Sequence, residues 1–260
     1  MYKTILFILL AGFAPFFAQA QQYHHADKSL PCLDKEFSIV AYIIKDSLGT
    51  AKHDSVSIKD AIVDLNSYFK PICASFRVCE FKFINNFQYA SLSGPDDSKW
   101  DEIQAKYHTD NRINMYFLRN LGGDEAGFAG LGAIAKMTTS GIVIKDLDAI
   151  PHEMGHFFGL LHTFEENGAE LVDGSNCTTK GDLVCDTPAD PYVAGEPISA
   201  YVKMPNCLFI SQKQDANGQY YVPDVGNIMS YYPKDCACGF TAGQYRRMAE
   251  TYLNSSPRMW

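Results

Sequence analysis

His152, Glu153, His156, Gly159 and His162 stand in the stretch HEMGHFFGLLH. Residues four apart share a helix face, so His152 and His156 can offer imidazole nitrogens to one ion. Glu153, one position on, points to the side where a water on that ion would sit and can accept its proton. A catalytic, tetrahedral Zn2+ takes three protein ligands and keeps a fourth position open. His162 supplies the third ligand if the helix stops and the chain turns back. Gly159 provides the stop, because glycine tolerates the positive φ that ends a helix. Matching all five positions by chance in a chain of this size has odds of roughly one or two in 100,000. The chemistry expected of them is metal-assisted hydrolysis, with Glu153 as general base.

The elements that must position these residues are legible in part. FSIVAYIIKD (37–46) is rich in β-branched residues and predicts a strand. In SIKDAIVDLNSYF (57–69), Ile58, Ala61, Ile62, Leu65, Tyr68 and Phe69 follow the spacing of a helix with one buried face, ended at Pro71. FRVCEFKF, INMYFL and GIVIKD predict further strands, with a glycine-broken stretch between the last two, and the histidine segment follows as a second long helix. From 168 to 235 regular patterning fades into a proline-rich loop region. In TAGQYRRMAETYL, Thr241 and Gln244 form a capping box, and Tyr245, Met248, Ala249 and Tyr252 a core-facing stripe.

The chain of 260 residues suffices for one sizeable domain. A formal net charge of −8 and no basic stripe exclude nucleic acid as a partner. Lys3, the apolar run Ile5–Phe17 and Ala18-Gln19-Ala20 read as a signal peptide over residues 1–20, cleaved near Ala20, with a secreted or periplasmic product and no stable membrane anchor. Eight cysteines suit that compartment and allow up to four disulfides, with the pairing open. Residues 21–260 form a single catalytic domain in this reading.

HExxHxxGxxH resembles the signature of the metzincin zinc endopeptidases, and NIMSYY (227–232) resembles their methionine turn, with Met229 beneath the metal. HEMGHFFGLLHTF, GDLVCDTPAD, NIMSYY and CGFTAGQYRRM together resemble the pappalysin family over His152 to Met248. The resemblance implies an α+β, zincin-like fold: a twisted mixed five-stranded sheet, two long helices above the cleft, and an irregular C-terminal subdomain with one helix below. It divides the domain into an upper part of about 33–162 and a lower part of about 163–260, with a substrate strand paired along an edge within Gly127 to Ala135. It implies peptide or protein substrates, and makes Tyr231 the residue that steadies the oxyanion. Asp182, Asp186 and Thr187 become a calcium-holding loop, and Asp235 a pocket residue favouring Lys or Arg after the cut. Cys32 could cap the zinc in a latent form, but with eight cysteines a disulfide accounts for it better. The competing reading is a catalytically silent, zinc-stabilised binding protein on the same fold; Glu153, which such a protein has no need to keep, discriminates between the two.

Overall fold

The computed structural model describes residues 30–123, 125–135 and 140–255; the expected signal peptide lies outside them. Among the described residues nine strands and four α-helices follow in chain order: β1 (Lys35–Ile44), α1 (Ser55–Phe69), β2 (Ala74–Ile84), β3 (Ser91–Leu92), α2 (Ser98–Tyr107), β4 (Ile113–Phe117), β5 (Asn120–Leu121), β6 (Gly127–Ala129), β7 (Ile142–Ile144), α3 (Ile150–Phe157), β8 (Val202–Lys203), β9 (Leu208–Phe209) and α4 (Ala242–Leu253). The main sheet runs β2-β1-β4-β7-β6; its first four strands are parallel, and β6 at the edge lies antiparallel to β7. This is the α+β arrangement with a mixed five-stranded sheet.

β1 is apolar at nearly every position because both its faces are covered. Phe37, Ile39, Ala41 and Ile43 enter the core shared with α1, α3 and α4, while Val40, Tyr42 and Ile44 enter a second core with Trp100 and Ile103 of α2. α1 starts where the Asp54 carboxylate accepts the N–H groups of Val56 and Ser57, and it buries Ile58, Ile62, Leu65 and Phe69. α2 was not expected: only Trp100 and Ile103 are buried along it, too few for a clear stripe, although Asp97 caps it as a start signal should.

α3 spans eight residues, shorter than the long helix the sequence predicts there. Pro151 sits in its first turn and Gly159, at φ 94°, closes it. Below the sheet the chain is irregular from 158 to 241, carrying only β8 and β9 and short 3-10 turns. α4 then begins on the Thr241–Gln244 capping box and sends Tyr245, Met248, Ala249 and Tyr252 into the core under α1.

Three disulfides form among the described residues, Cys32–Cys73, Cys177–Cys185 and Cys207–Cys236, while Cys79 and Cys238 stay free and exposed. The fourth allowed bridge is therefore not made. Cys32, bonded to Cys73, has no thiol to offer the histidines.

Candidate active site

The end of α3 sets the geometry. Gly159 N–H donates to His156 O at 2.8 Å and Leu160 N–H to Gly155 O at 3.0 Å, the double bond of a glycine-closed helix C-terminus. The chain turns there and brings His162 back to the face that carries His152 and His156. His156 Nε2 lies 3.1 Å from His152 Nε2 and 3.0 Å from His162 Nε2. His152 Nδ1 stands 2.7 Å from Ile228 O, and His156 Nδ1 2.7 Å from Leu160 O. A carbonyl only accepts, so in both rings Nδ1 donates and Nε2 keeps its lone pair.

Burial, then the neighbouring imidazoles, pushes the pKa of His152 down to about 3 and that of His162 to about 2; burial also lowers His156. Three neutral rings thus bring their Nε2 atoms together, with the lone pair fixed there in His152 and His156. Nitrogens held about 2.0–2.1 Å from a tetrahedral ion lie roughly 3.3 Å apart. The spacing, softness and charge state of this triad fit Zn2+, and among the described residues no other group of three or more His, Cys, Asp or Glu converges in this way.

Glu153 is buried, 5% exposed, and its Oε2 has no hydrogen-bond partner. Burial, with the charge of Glu125 second, raises its pKa to about 8. The edge strand presses on it: a methyl group at Gly127 would come within 2.9 Å of Glu153 Cγ. Tyr231, 44% exposed, lies with its ring 5.6 Å from that of His152 and 4.8 Å from that of His162. Burial and then the Glu153 charge raise its pKa to about 12.

Met229 is fully buried against the underside of α3, where a Cβ at Gly155 would meet its sulfur at 2.5 Å. Its turn also supplies backbone to the site, through Ile228 O on His152 and through Met229 O, which accepts Thr163 N–H at 3.2 Å. Residue type gives no sign of these carbonyl roles.

The remaining expected residues lie apart from the triad. Asp235 is exposed on the turn after Pro233, in a groove that also borders Pro151 and Ile228, beside the ion pair of Lys234 with Asp148. Asp182 and Thr187 are buried in the lower loops, but both Asp186 oxygens serve the start of α4, accepting Thr241 Oγ1 at 2.8 Å and Gly243 N–H at 2.7 Å. Buried with Asp182 is Glu170, a residue the sequence did not single out. Its Oε2 is unpartnered, and Thr187 Oγ1 makes no well-formed hydrogen bond. Burial, then the Asp182 charge, raises Glu170 to about 7; burial raises Asp182 to about 6. No spacing rule links carboxylates twelve positions apart in loops, so the pairing was invisible.

Residues 137–253 match the family model described as pregnancy-associated plasma protein-A. Two fungal proteins named extracellular metalloprotease are similar over most of the chain. That of Arthroderma gypseum is 27% identical over 226 residues, covering 80% of this chain and 69% of that protein. That of Arthroderma otae is 28% identical over 211 residues, covering 72% and 67%. Among solved structures, mirolysin in complex with a small compound superposes with a TM-score of 0.59 at 18% identity, covering 89% of this chain and 95% of that one. Mature mirolysin of Tannerella forsythia, in complex with a cleaved peptide, gives 0.57 at 17% identity, covering 86% and 93%. At that identity the likeness establishes the fold.

Fold, histidine triad and relatives together define a zinc metalloendopeptidase. Over residues 137–253 the chain is similar to the pregnancy-associated plasma protein-A family of metallopeptidases.

Proposed function

We propose that the protein is an exported endopeptidase in which Glu153 is the general base. The observation that carries this reading is the Glu153 carboxylate, buried without a partner for Oε2 one residue from His152. A silent scaffold has no use for such a group, since an unpaired buried polar atom costs about 1–3 kcal/mol. His152, His156 and His162 hold the zinc, which when bound supplies a Lewis acid that polarises a carbonyl and acidifies water. Glu153 takes the proton of the attacking water and passes it to the leaving amine. Tyr231, held protonated by its raised pKa, donates a hydrogen bond to the developing oxyanion. The free side of β6 pairs with an extended peptide backbone beside Glu153. Asp235 favours Lys or Arg after the cut.

Calcium is the second ion in this reading, held by hard oxygens of Asp182 and Thr187 together with Glu170. Two buried carboxyls side by side, one with an orphaned oxygen, support it; Asp186 is occupied at the start of α4. The signal peptide over 1–20 delivers a mature chain of one domain, with upper and lower parts meeting near His162. The extracellular naming of the relatives supports export, and among the described residues no helix is long and apolar enough to cross a membrane.

The test compares the mature chain with Glu153→Ala for bound zinc and for cleavage of a mixed peptide library. Zinc in both, with cleavage only by the unaltered chain, is the expected result. Zinc in both with cleavage by neither would replace the enzyme with a zinc-stabilised binding protein.

A further inference from the structure

His162 is held differently from its two companions. His152 and His156 each anchor Nδ1 on a backbone carbonyl at 2.7 Å. At His162 Nδ1 the acceptor is Glu165 Oε2, 3.7 Å away and beyond hydrogen-bond reach. Its ring lies stacked on Phe164, centroids 4.8 Å apart. Two polar restraints on this segment sit one residue further on, where Thr163 N–H donates to Met229 O at 3.2 Å and Thr163 Oγ1 donates to Asp190 Oδ2 at 2.7 Å.

Asp190 is 1% exposed, and its donors are all neutral. Besides Thr163, Tyr232 OH donates to Oδ1 at 2.6 Å and Tyr192 N–H to Oδ1 at 3.0 Å. Thr163 follows His162 in the chain, and Tyr232 follows Tyr231. Beside the backbone bond from Thr163 to Met229, one carboxylate therefore joins the side chains of the segment leaving α3 and the segment leaving the Met229 turn. Burial raises its pKa, with the three donors opposing. An apolar cluster would fill the same volume without the cost of desolvating a carboxylate, so packing alone does not account for it.

We propose that Asp190 is a positioning residue that holds His162 and Tyr231 in one frame, so that the third zinc ligand and the phenol facing the cleft cannot shift independently. The Tyr231 half of this rests on the role given to that phenol above. Groups that orient a metal ligand from behind typically contribute 10–100-fold in affinity or activity.

The test measures zinc affinity by chelator competition, and kcat and KM on one peptide, for the full mature chain and four variants. Asp190→Ala is expected to weaken zinc about tenfold and lower kcat about tenfold or more with KM unchanged. Asp190→Asn is expected to restore both: its amide oxygen keeps Tyr232 and Tyr192, and its amide N–H can donate to Thr163 Oγ1. A folded Asp190→Ala with unaltered zinc affinity overturns the proposal, as does Asp190→Asn behaving like Asp190→Ala. If Asp190→Ala does not fold, single-bond deletions decide. Thr163→Val must weaken zinc; Tyr232→Phe must lower kcat and leave zinc affinity unchanged. Wild-type behaviour of either overturns the coupling. Chelator competition needs no peptide, so a chain that binds zinc and cuts nothing removes the endopeptidase reading while the His162 tether is still judged.

Discussion

The Met229 sulfur occupies the space in which a side chain at Gly155 would begin: a Cβ built there lies 2.5 Å from Sδ. Gly155 lies between His152 and His156, one residue before the latter, so the methionine packs against the stretch of α3 that carries both. Replacing glycine by alanine inside a helix ordinarily gains about 0.8–1 kcal/mol. Here overpacking costs about 1–3 kcal/mol and outweighs it. Gly155→Ala should therefore lower Tm by several degrees and weaken zinc, whereas Met229→Leu, which conserves volume, should cost less than about 1.5 kcal/mol. Thermal melts with and without added zinc check both.

Tyr231→Phe keeps the ring that packs between His152, His162 and Phe164 but removes the hydroxyl. Loss of one oxyanion donor should reduce kcat about a hundredfold with little change in KM. Zinc content should stay at the wild-type level, since no ligand is touched. An equal loss in zinc and kcat would instead make Tyr231 a packing residue, and steady-state kinetics beside metal analysis separates the two.

Glu170 and Asp182 give the protein without calcium a particular pH dependence. A carboxyl whose pKa rises on folding binds its proton more tightly in the folded than in the unfolded chain. Its contribution is complete below the unfolded pKa and is lost as pH rises through the folded one. With Glu170 moving from 4.5 to about 7 and Asp182 from 3.8 to about 6, that loss falls between about pH 4 and pH 7. A divalent cation binds the ionised pair, so added calcium should raise Tm more at pH 7.5 than at pH 5. Glu170→Gln should flatten the dependence. A calcium effect independent of pH would remove these two carboxyls as its site.

Gln244, wholly buried, joins the start of α4 to the Met229 turn. Its Oε1 accepts Thr241 N–H at 3.0 Å and Asn227 Nδ2 at 2.9 Å, while Asn227 Oδ1 accepts Met229 N–H at 2.9 Å. Gln244→Leu leaves two buried donors unpaired, at about 1–3 kcal/mol each. Stability should fall by several kcal/mol in denaturant titration, and zinc affinity should fall with it because the turn carries Ile228 O. Gln244→Glu keeps the acceptor but replaces the Nε2 that donates to Asp182 Oδ2 and Asn227 Oδ1, each at 3.3 Å, so it should also lose stability, and more of it as pH rises.

What could be read in advance follows from how narrowly chemistry constrains residue type. The histidine spacing was legible because a tetrahedral ion accepts few side chains at few separations, and Gly159 was legible because a helix stop at positive φ favours glycine. β1 announced itself through a β-branched run, and α4 through its capping box. α2 was hidden because two buried residues make no stripe. Ile228 O was hidden because every residue carries a carbonyl. Glu170 and Asp190 were hidden because loop geometry, not periodicity, brings their partners to them.

The three disulfides lie one after another along the chain: Cys32–Cys73 closes before Cys177 begins, and Cys177–Cys185 before Cys207. None is threaded through another, and none joins a residue before α3 to one after it. A chain emerging N-terminus first can therefore complete each bridge from sulfurs already delivered, in the order of synthesis, without waiting for a distant partner. Cys79 is the sole thiol that emerges between the first bridge and the second and must be kept from mispairing with Cys177. Its place on β2, where Sγ donates to Ile39 O at 3.2 Å, gives it a local partner as soon as the sheet forms. The connectivity thus makes maturation a series of local closures, none of which depends on joining the two halves across the cleft.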